Sequence, residues 1–164
     1  MRLKDRIAIV TGGGSGLGAG IAKRFAEEGA SLVLADINGN NAETVASEIR
    51  EGQSRAIAVE MDVTDYDAAE ALVAQTVEEY GTVDILVNSA GTSKRMNFLD
   101  AKPEEFQHIM KVNLEGTMYC GQHAARVMAV KGYGRIVNIA SISGERAGVG
   151  RTSYGVSDHI LSLS

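Results

Sequence analysis

The sequence contains little cysteine, little proline and no tryptophan. A single cysteine, Cys120, cannot form an internal disulfide, which predicts a protein of a reducing compartment. A single proline, Pro103, and the lack of any low-complexity tract leave no candidate linker, so one domain over residues 1–164 is predicted. No apolar run approaches the ~18 residues that a membrane-spanning helix needs. Together these absences predict a cytoplasmic globular protein without a membrane segment.

The sequence also lacks a stripe of basic residues and a cluster of residues that could bind a metal. The net charge is −5 and no stripe of lysine or arginine is present, so no nucleic-acid partner is predicted. The three histidines lie far apart, without cysteines or carboxylates at ligand spacing, and no metal site is predicted. We interpret Cys120 as a small buried apolar group rather than a catalytic thiol.

Short β-rich apolar runs alternate with longer amphipathic stretches. The alternation predicts parallel strands joined by helices. The strand runs are apolar almost throughout, as expected when helices cover both faces of a sheet. The predicted fold class is therefore α/β, with a doubly wound parallel sheet. The predicted strands are 6–11, 31–36, 55–61, 83–87 and 135–140.

Several residues indicate where helices begin and end. Thr64, followed by Asp67, resembles a capping box at the start of a helix. Pro103 suits a first helical position. One long helix is predicted from there to about Lys131, where Gly132 provides a stop.

A glycine-rich segment follows the first predicted strand and opens a helix. Its glycines permit a tight turn and let backbone N–H groups approach a pyrophosphate, while the helix N-terminus favours the anion. The alternative interpretation is a flexible loop without a ligand. The predicted contact residues are Gly12, Gly14, Ser15, Gly16, Leu17 and Gly18.

The second predicted strand ends at Asp36, 18 residues after Gly18. In dinucleotide-binding folds an acid at this place accepts hydrogen bonds from the adenosine ribose hydroxyls. A carboxylate also repels a 2′-phosphate, so NAD(H) is predicted as the cofactor and NADP(H) is disfavoured. The alternative interpretation is a helix-capping or solvated aspartate.

The spacing of Thr11, Gly12, Gly16 and Gly18 resembles the fingerprint of the short-chain dehydrogenase/reductase family. Two further motifs strengthen the resemblance, which covers nearly the whole chain. One follows the third strand and matches a pair that the family uses around the adenine ring. The other, after the fourth strand, is similar to the family's Asn-Asn-Ala-Gly, which steadies the sheet and lines the cofactor cleft. The resemblance implies a Rossmann-like fold and adds Asp62, Val63, Asn88, Ala90 and Gly91 to the cofactor site.

The resemblance also implies a catalytic set. Hydride transfer between a carbinol and a nicotinamide requires a proton to leave or reach the substrate oxygen. By resemblance, Tyr154 is the general acid/base and also contacts the cofactor, Ser141 hydrogen-bonds the substrate oxygen, and Asn113 holds a water in a proton relay. The implied activity is that of an NAD-dependent oxidoreductase acting on an alcohol or ketone, such as a polyol, sugar or ketoacyl-like compound.

Asp158 departs from the family pattern. The family places a lysine four residues after its tyrosine, where the cation favours the phenolate and hydrogen-bonds the nicotinamide ribose. A tyrosine phenol has an ordinary pKa of about 10 and needs such help to act as a base. Asp158 lies one helical turn from Tyr154, and its charge is opposite in sign to that of the family lysine. The alternative interpretation is a surface aspartate in a frayed terminal helix.

Family members are longer, so the chain is expected to be truncated at its C-terminus and to lack the last strands of the family fold. The leading hypothesis is an oxidoreductase, and the alternative is a non-catalytic NAD-binding fragment or one half of a split assembly. A structural interaction protein is a third hypothesis. A homo-oligomer is expected where the full-length fold is present. Segments 92–101 and 143–152 are predicted to flank a substrate pocket, and the substrate identity stays open.

Overall fold

The computed structural model describes residues 1–146 and 148–162. In this part of the chain five parallel strands form one sheet, in the order β3-β2-β1-β4-β5. The central strand β1 pairs on both sides, so that Ile9 lies opposite Val33 and Leu86. The predicted α/β class with a doubly wound parallel sheet is confirmed. The strands are β1 (Ile7–Thr11), β2 (Ser31–Asp36), β3 (Ala56–Glu60), β4 (Ile85–Asn88) and β5 (Arg135–Asn138).

Helices connect the strands and cover both faces of the sheet. Their bounds are α1 (Gly16–Glu27), α2 (Gly39–Glu51), α3 (Tyr66–Tyr80), α4 (Pro103–Met110), α5 (Gly116–Lys131) and α6 (Thr152–Leu161). Short 3₁₀ turns precede α4 and α6, at Phe98–Asp100 and Ile142–Gly144.

The core consists of two apolar layers, one on each face of the sheet. The layer under α1 and α2 is built around Leu32 and Leu34, and the buried face of α1 is made only of glycine and alanine, which lets the helix approach closely. The layer under α3 and α5 contains Leu72, Leu86 and Cys120. Cys120 is 1% exposed, as expected of a small apolar group, and burial raises the pKa of its thiol to about 11.

Two helix boundaries differ from those predicted. The prediction of a capping box at Thr64 is wrong, because Asp65 is the N-cap of α3. The Oδ1 atom of Asp65 accepts the N–H groups of Asp67 and Ala68 at 3.0 and 3.1 Å. Aspartate is itself among the residues preferred at the N-cap.

The single long helix predicted from Pro103 is also interrupted. Pro103 is the first residue of α4, but a π-helical turn, Lys111–Glu115, separates α4 from α5. Gly132 ends α5 in the left-handed conformation with φ +72°, as predicted. Turns of this type widen a helix locally and frequently occur at functional sites.

Candidate active site

A cleft of about 510 Å³ opens at the carboxyl ends of the strands, beside the point where β1 lies between β2 and β4. Crevices of this kind form at switch points of parallel sheets and are the usual place for a ligand. We call it the main cleft. The predicted cofactor residues that line it are Gly12, Ser15, Gly16, Leu17, Gly18, Asp36, Asp62, Val63, Ala90 and Gly91.

Close contacts of the backbone require glycine at two positions of the glycine-rich turn. Gly12 has φ +65°, and a Cβ atom there would lie 2.9 Å from the Cα of Ala90. A Cβ atom at Gly18 would lie 2.1 Å from the carbonyl oxygen of Gly12. Both distances are shorter than real Cβ contacts, so the turn depends on glycine at these positions.

The first turn of α1 presents hydrogen-bond donors to the main cleft. Ser15 is the N-cap, yet its side chain makes no capping hydrogen bond. The N–H groups of Gly16, Leu17 and Gly18 stand in the first turn, where a helix supplies no acceptor. With the helix dipole, these donors suit a phosphate or another anion.

Asp36 is fixed from both sides by backbone N–H groups. Its Oδ2 accepts a hydrogen bond from Gly14 at 3.0 Å, and its Oδ1 accepts one from Asn38 at 2.9 Å. The helix-cap interpretation of Asp36 is wrong, because Asn38 caps α2 by accepting the N–H of Asn41. Gly14 itself does not line the main cleft, and its contribution is to hold the carboxylate.

A second layer of hydrogen bonds supports the main cleft from behind. Thr11 Oγ1 accepts the N–H groups of Ser89 and Ala90, both at 3.2 Å, which joins β1 to the segment after β4. Asn88 Nδ2 donates to Asn138 Oδ1 at 2.9 Å and ties β4 to β5. Asn88 therefore supports the sheet behind the main cleft rather than lining it.

Other lining residues of the main cleft were not among those predicted. Ile37 and Thr92 directly follow a predicted strand and a predicted motif, and Met61 ends the predicted strand 55–61, so strand ends were a usable signal. His108 and Val112 come from α4 and the π-helical turn, and no local pattern in the sequence marks them. The residues of this group are Ile37, Met61, Ser89, Thr92, His108, Val112 and Ile139.

A smaller cavity of about 180 Å³ adjoins the main cleft and shares part of its wall. We call it the side cavity. It brings together two of the predicted catalytic residues, Asn113 and Tyr154, with Asp158. The wall that it shares with the main cleft consists of Ser89, Ala90, Gly91, Thr92 and Ile139.

Asn113 links the elements around the side cavity. The residue is 3% exposed and lies in the π-helical turn. Its Oδ1 accepts the N–H of Thr92 at 2.8 Å, and its Nδ2 donates to the carbonyl of Thr92 at 3.0 Å. Nδ2 also donates to Ser157 Oγ at 3.1 Å, and this hydroxyl donates to the carbonyl of Tyr154 at 2.9 Å. The amide thus holds the segment after β4 against α6.

Ser141 lies beside this group but does not line either cavity. Its neighbour Ala140 lines the side cavity. The Ser141 Oγ accepts the N–H of Ser143 at 3.1 Å and caps the 3₁₀ turn before α6. Its contact with a substrate oxygen stays a prediction.

Asp158 is buried, so its interpretation as a surface aspartate is wrong. Its side chain lines the side cavity, the residue is 3% exposed, and Oδ2 has no hydrogen-bond partner within residues 1–146 and 148–162. Burial raises the pKa of the Asp158 carboxyl, and a hydrogen bond with the Tyr154 side chain opposes part of this rise. The predicted proximity of the two side chains is confirmed.

The two segments predicted to flank a substrate pocket contact each other. The N–H of Met96 donates to the carbonyl of Gly150 at 2.8 Å. Residues of both segments line a cavity of about 200 Å³, among them Phe98 and Thr152. Residue 147, in the second segment, lies outside the described residues.

The described stretch of chain contains no helix that is long and apolar enough to cross a membrane. In that stretch no three or more histidine, cysteine, aspartate or glutamate side chains are grouped so that they would hold a metal ion.

Sequence comparison finds relatives among dehydrogenases. The sequence model of the family described as short chain dehydrogenase matches residues 6–162. Zerumbone synthase from Zingiber zerumbet is 38% identical over 163 residues, which cover 98% of this chain and 61% of that protein. Cis-4-hydroxycyclohexanecarboxylate dehydrogenase from Sinomonas cyclohexanicum is 36% identical over 151 residues, which cover 92% of this chain and 60% of that protein.

The fold is also similar to that of a solved dehydrogenase. The crystal structure of NAD⁺-bound xylitol dehydrogenase superposes with a TM-score of 0.96 at 30% sequence identity, and the match covers 99% of this chain and 64% of that chain. The chain thus spans about three fifths of the length of the curated relatives it matches.

Proposed function

The chain belongs to the short-chain dehydrogenase family, and we propose that its main cleft binds NAD(H) in preference to NADP(H). One observation carries the proposal: the carboxylate of Asp36 lines the main cleft while the N–H groups of Gly14 and Asn38 hold its two oxygens. A carboxylate held in this way accepts ribose hydroxyls and opposes a 2′-phosphate by charge. The NAD⁺-bound state of the similar xylitol dehydrogenase supports the same choice.

The remaining residues of the main cleft fit a dinucleotide. A Cβ atom at Gly12 or Gly18 would clash with the backbone of Ala90 or of Gly12, so glycine keeps the shape of the turn that lines the main cleft. The N–H groups of Gly16 and Leu17, in the first turn of α1, suit the pyrophosphate. Val63, after β3, gives an apolar wall on the side where an adenine ring would lie.

We propose Tyr154 as the general acid/base of an alcohol and ketone oxidoreductase. A bound nicotinamide supplies the hydride chemistry. The Tyr154 hydroxyl moves a proton to or from the substrate oxygen, with Ser141 as the second hydrogen-bond partner of that oxygen. Asn113 holds α6, and with it Tyr154, against the segment after β4. The names of the relatives, such as xylitol dehydrogenase, specify substrates that carry hydroxyl groups.

A second candidate function is dinucleotide binding without turnover. Asp158 favours it, because this buried carboxyl lines the same cavity as Tyr154, where the family pattern has a cation. A carboxylate beside a phenol opposes the loss of the phenol proton. Both candidates share the cofactor proposal and differ in the proton step.

Calorimetric titration with NAD⁺ and NADP⁺ tests the cofactor proposal. We expect the unmodified chain to bind NAD⁺ at least tenfold more tightly. Asp36→Asn keeps the shape of the side chain and removes its charge. It should therefore weaken NAD⁺ binding and reduce the preference for NAD⁺ over NADP⁺. Glu70→Gln, an exposed acid of α3, is the matched control and should change neither affinity. Tighter binding of NADP⁺ by the unmodified chain would refute the proposal.

A further inference from the structure

The main cleft and the side cavity lie in line across the sheet. Asp36 ends β2 and Asp62 follows β3, so both belong to one side of the central strand β1. The side cavity lies beyond β1 on the other side, after β4 and β5. If the adenosine ribose contacts Asp36 and the pyrophosphate contacts the glycine-rich turn, the opposite half of the dinucleotide extends toward the side cavity.

In the described part of the chain, the side cavity contains a buried acid that forms no ion pair. Asp158 is 3% exposed, and its Oδ2 accepts no hydrogen bond from the described residues. Its carboxyl group lines the same cavity as Tyr154. Burying a carboxylate without a cation or a full set of donors is costly, so the group is suited to a ligand that supplies positive charge.

We propose that Asp158 is a cofactor-selecting residue, whose carboxylate favours the oxidised, positively charged nicotinamide ring over the neutral reduced ring. The inference deepens the proposed function and rests on it. It differs from the role of Asp36, which acts on the ribose at the other end of the main cleft and does not distinguish oxidised from reduced cofactor. Because Asp158 and Tyr154 line one cavity, the same carboxylate adjoins the proposed site of proton transfer.

The expected size of the effect comes from the general strength of charge interactions in partly buried sites. Charges separated by several ångströms in a partly buried site interact through an effective dielectric constant of about 20 or more. We therefore expect the carboxylate to change the ratio of the two dissociation constants by about tenfold. Asp36, at the proposed adenosine end, lies on the other side of β1 from the side cavity, so binding of the adenosine half should be unaffected.

The test is a calorimetric titration of the whole chain with NAD⁺, NADH and AMP at pH 8. The quantity of interest is the Kd for NADH divided by the Kd for NAD⁺. We expect this ratio to fall about tenfold in Asp158→Asn and to be retained in Asp158→Glu, which keeps the charge. Binding of AMP should be the same in all three proteins. Because each ratio is measured within one protein, a variant with reduced stability still reports on the proposal.

The outcomes separate this inference from the proposed function. An unchanged ratio in Asp158→Asn, with NAD⁺ still bound, overturns the role of Asp158 and leaves the proposed function standing. An unmodified chain that binds neither dinucleotide overturns both. Asp158→Ser, a second uncharged variant, must show the same fall in the ratio if Asp158→Asn is poorly folded.

Discussion

The backbone N–H of Gly14 donates a 3.0 Å hydrogen bond to Oδ2 of Asp36, so the glycine-rich turn and the acid at the end of β2 form one unit. A Cβ atom at Gly14 would lie 2.9 Å from that oxygen and 2.8 Å from the N atom of Ala42. The proposed phosphate and ribose contacts are therefore coupled through a backbone position that tolerates only glycine.

Gly14→Ala is expected to weaken NAD⁺ binding at least tenfold and to lower the free energy of unfolding by about 1–3 kcal/mol, because the added methyl group forces the turn and Asp36 apart. Calorimetry and urea unfolding measure the two effects. Gly20→Ala is the matched control: it lies in α1, a Cβ atom there meets nothing within 4 Å, and alanine favours helix. Equal NAD⁺ affinity in the Gly14→Ala variant and the unmodified chain would contradict the coupling.

Site residues at the end of a strand, or in the turn that follows it, were predictable from the sequence. Asp36 and the glycines after β1 stand at fixed offsets from apolar runs, and those runs correctly predicted the sheet. Local spacing determines such positions, since a strand end and the following turn involve few residues.

Residues whose role depends on long-range packing were not predictable in the same way. The burial of Asp158 arises from the packing of α6 against segments far away in the chain. Similarly, Asp84 is 1% exposed and contacts Arg6, Ile7 and Lys131, three residues from two distant parts of the sequence. No local periodicity or motif in the sequence marks the contacts of Asp158 or those of Asp84.

Asp84 anchors the start of β4 to the start of β1 and the end of α5. Its Oδ2 accepts the N–H of Ile7 at 3.0 Å, and Oδ1 pairs with Lys131. Burial raises the pKa of the Asp84 carboxyl, but the hydrogen bonds from Lys131 and Ile7 and the charges of Lys131 and Arg6 outweigh it, so the pKa lies below its ordinary value. The folded state therefore favours the ionised form, and this stabilisation is lost as the pH falls through the lowered pKa.

Asp84→Asn is expected to lower the free energy of unfolding by about 2 kcal/mol at pH 7, because it removes charge-assisted hydrogen bonds from a buried site. The loss relative to the unmodified chain should shrink at a pH below about 4, where the carboxyl of the unfolded chain is protonated. Urea unfolding at the two pH values measures it, with Glu70→Gln as the exposed control. A loss that is independent of pH would contradict the role of the charge.

Asp158 is expected to show the opposite dependence on pH. Its pKa is raised, chiefly by burial, so the folded state favours the protonated form. Stability from this group is present below the ordinary carboxyl pKa and is lost as the pH rises through the raised pKa. Asp158→Asn should therefore be about 1 kcal/mol more stable than the unmodified chain at pH 8, the order of cost of an unpartnered buried polar group. Its advantage should vanish at acid pH, and thermal unfolding across pH measures the difference. The stability of Asp158→Asn relative to the unmodified chain should be greater at pH 8 than at acid pH. The reverse order would contradict the prediction.

Cys120 is expected to be inert in the folded protein. Its side chain is on the buried face of α5, and burial raises the pKa of the thiol to about 11, which suppresses the reactive thiolate at neutral pH. A thiol reagent at pH 8 should modify the chain at least a hundredfold more slowly in buffer than in urea. Rapid modification in buffer would show that the layer under α3 and α5 opens readily.

The proton step is tested by reversing the charge beside Tyr154. We expect the unmodified chain to oxidise alcohols weakly or not at all, because the Asp158 carboxyl opposes the phenolate. Asp158→Lys places a cation one helical turn from Tyr154, and the adjoining side cavity of about 180 Å³ gives the longer side chain room. This variant should form NADH from a secondary alcohol at least tenfold faster than the unmodified chain, as followed by NADH absorbance. The double variant that also carries Tyr154→Phe is the control and should lose the gain, since it lacks the hydroxyl that moves the proton. If the unmodified chain matched xylitol dehydrogenase assayed beside it, Asp158 would not limit the proton step.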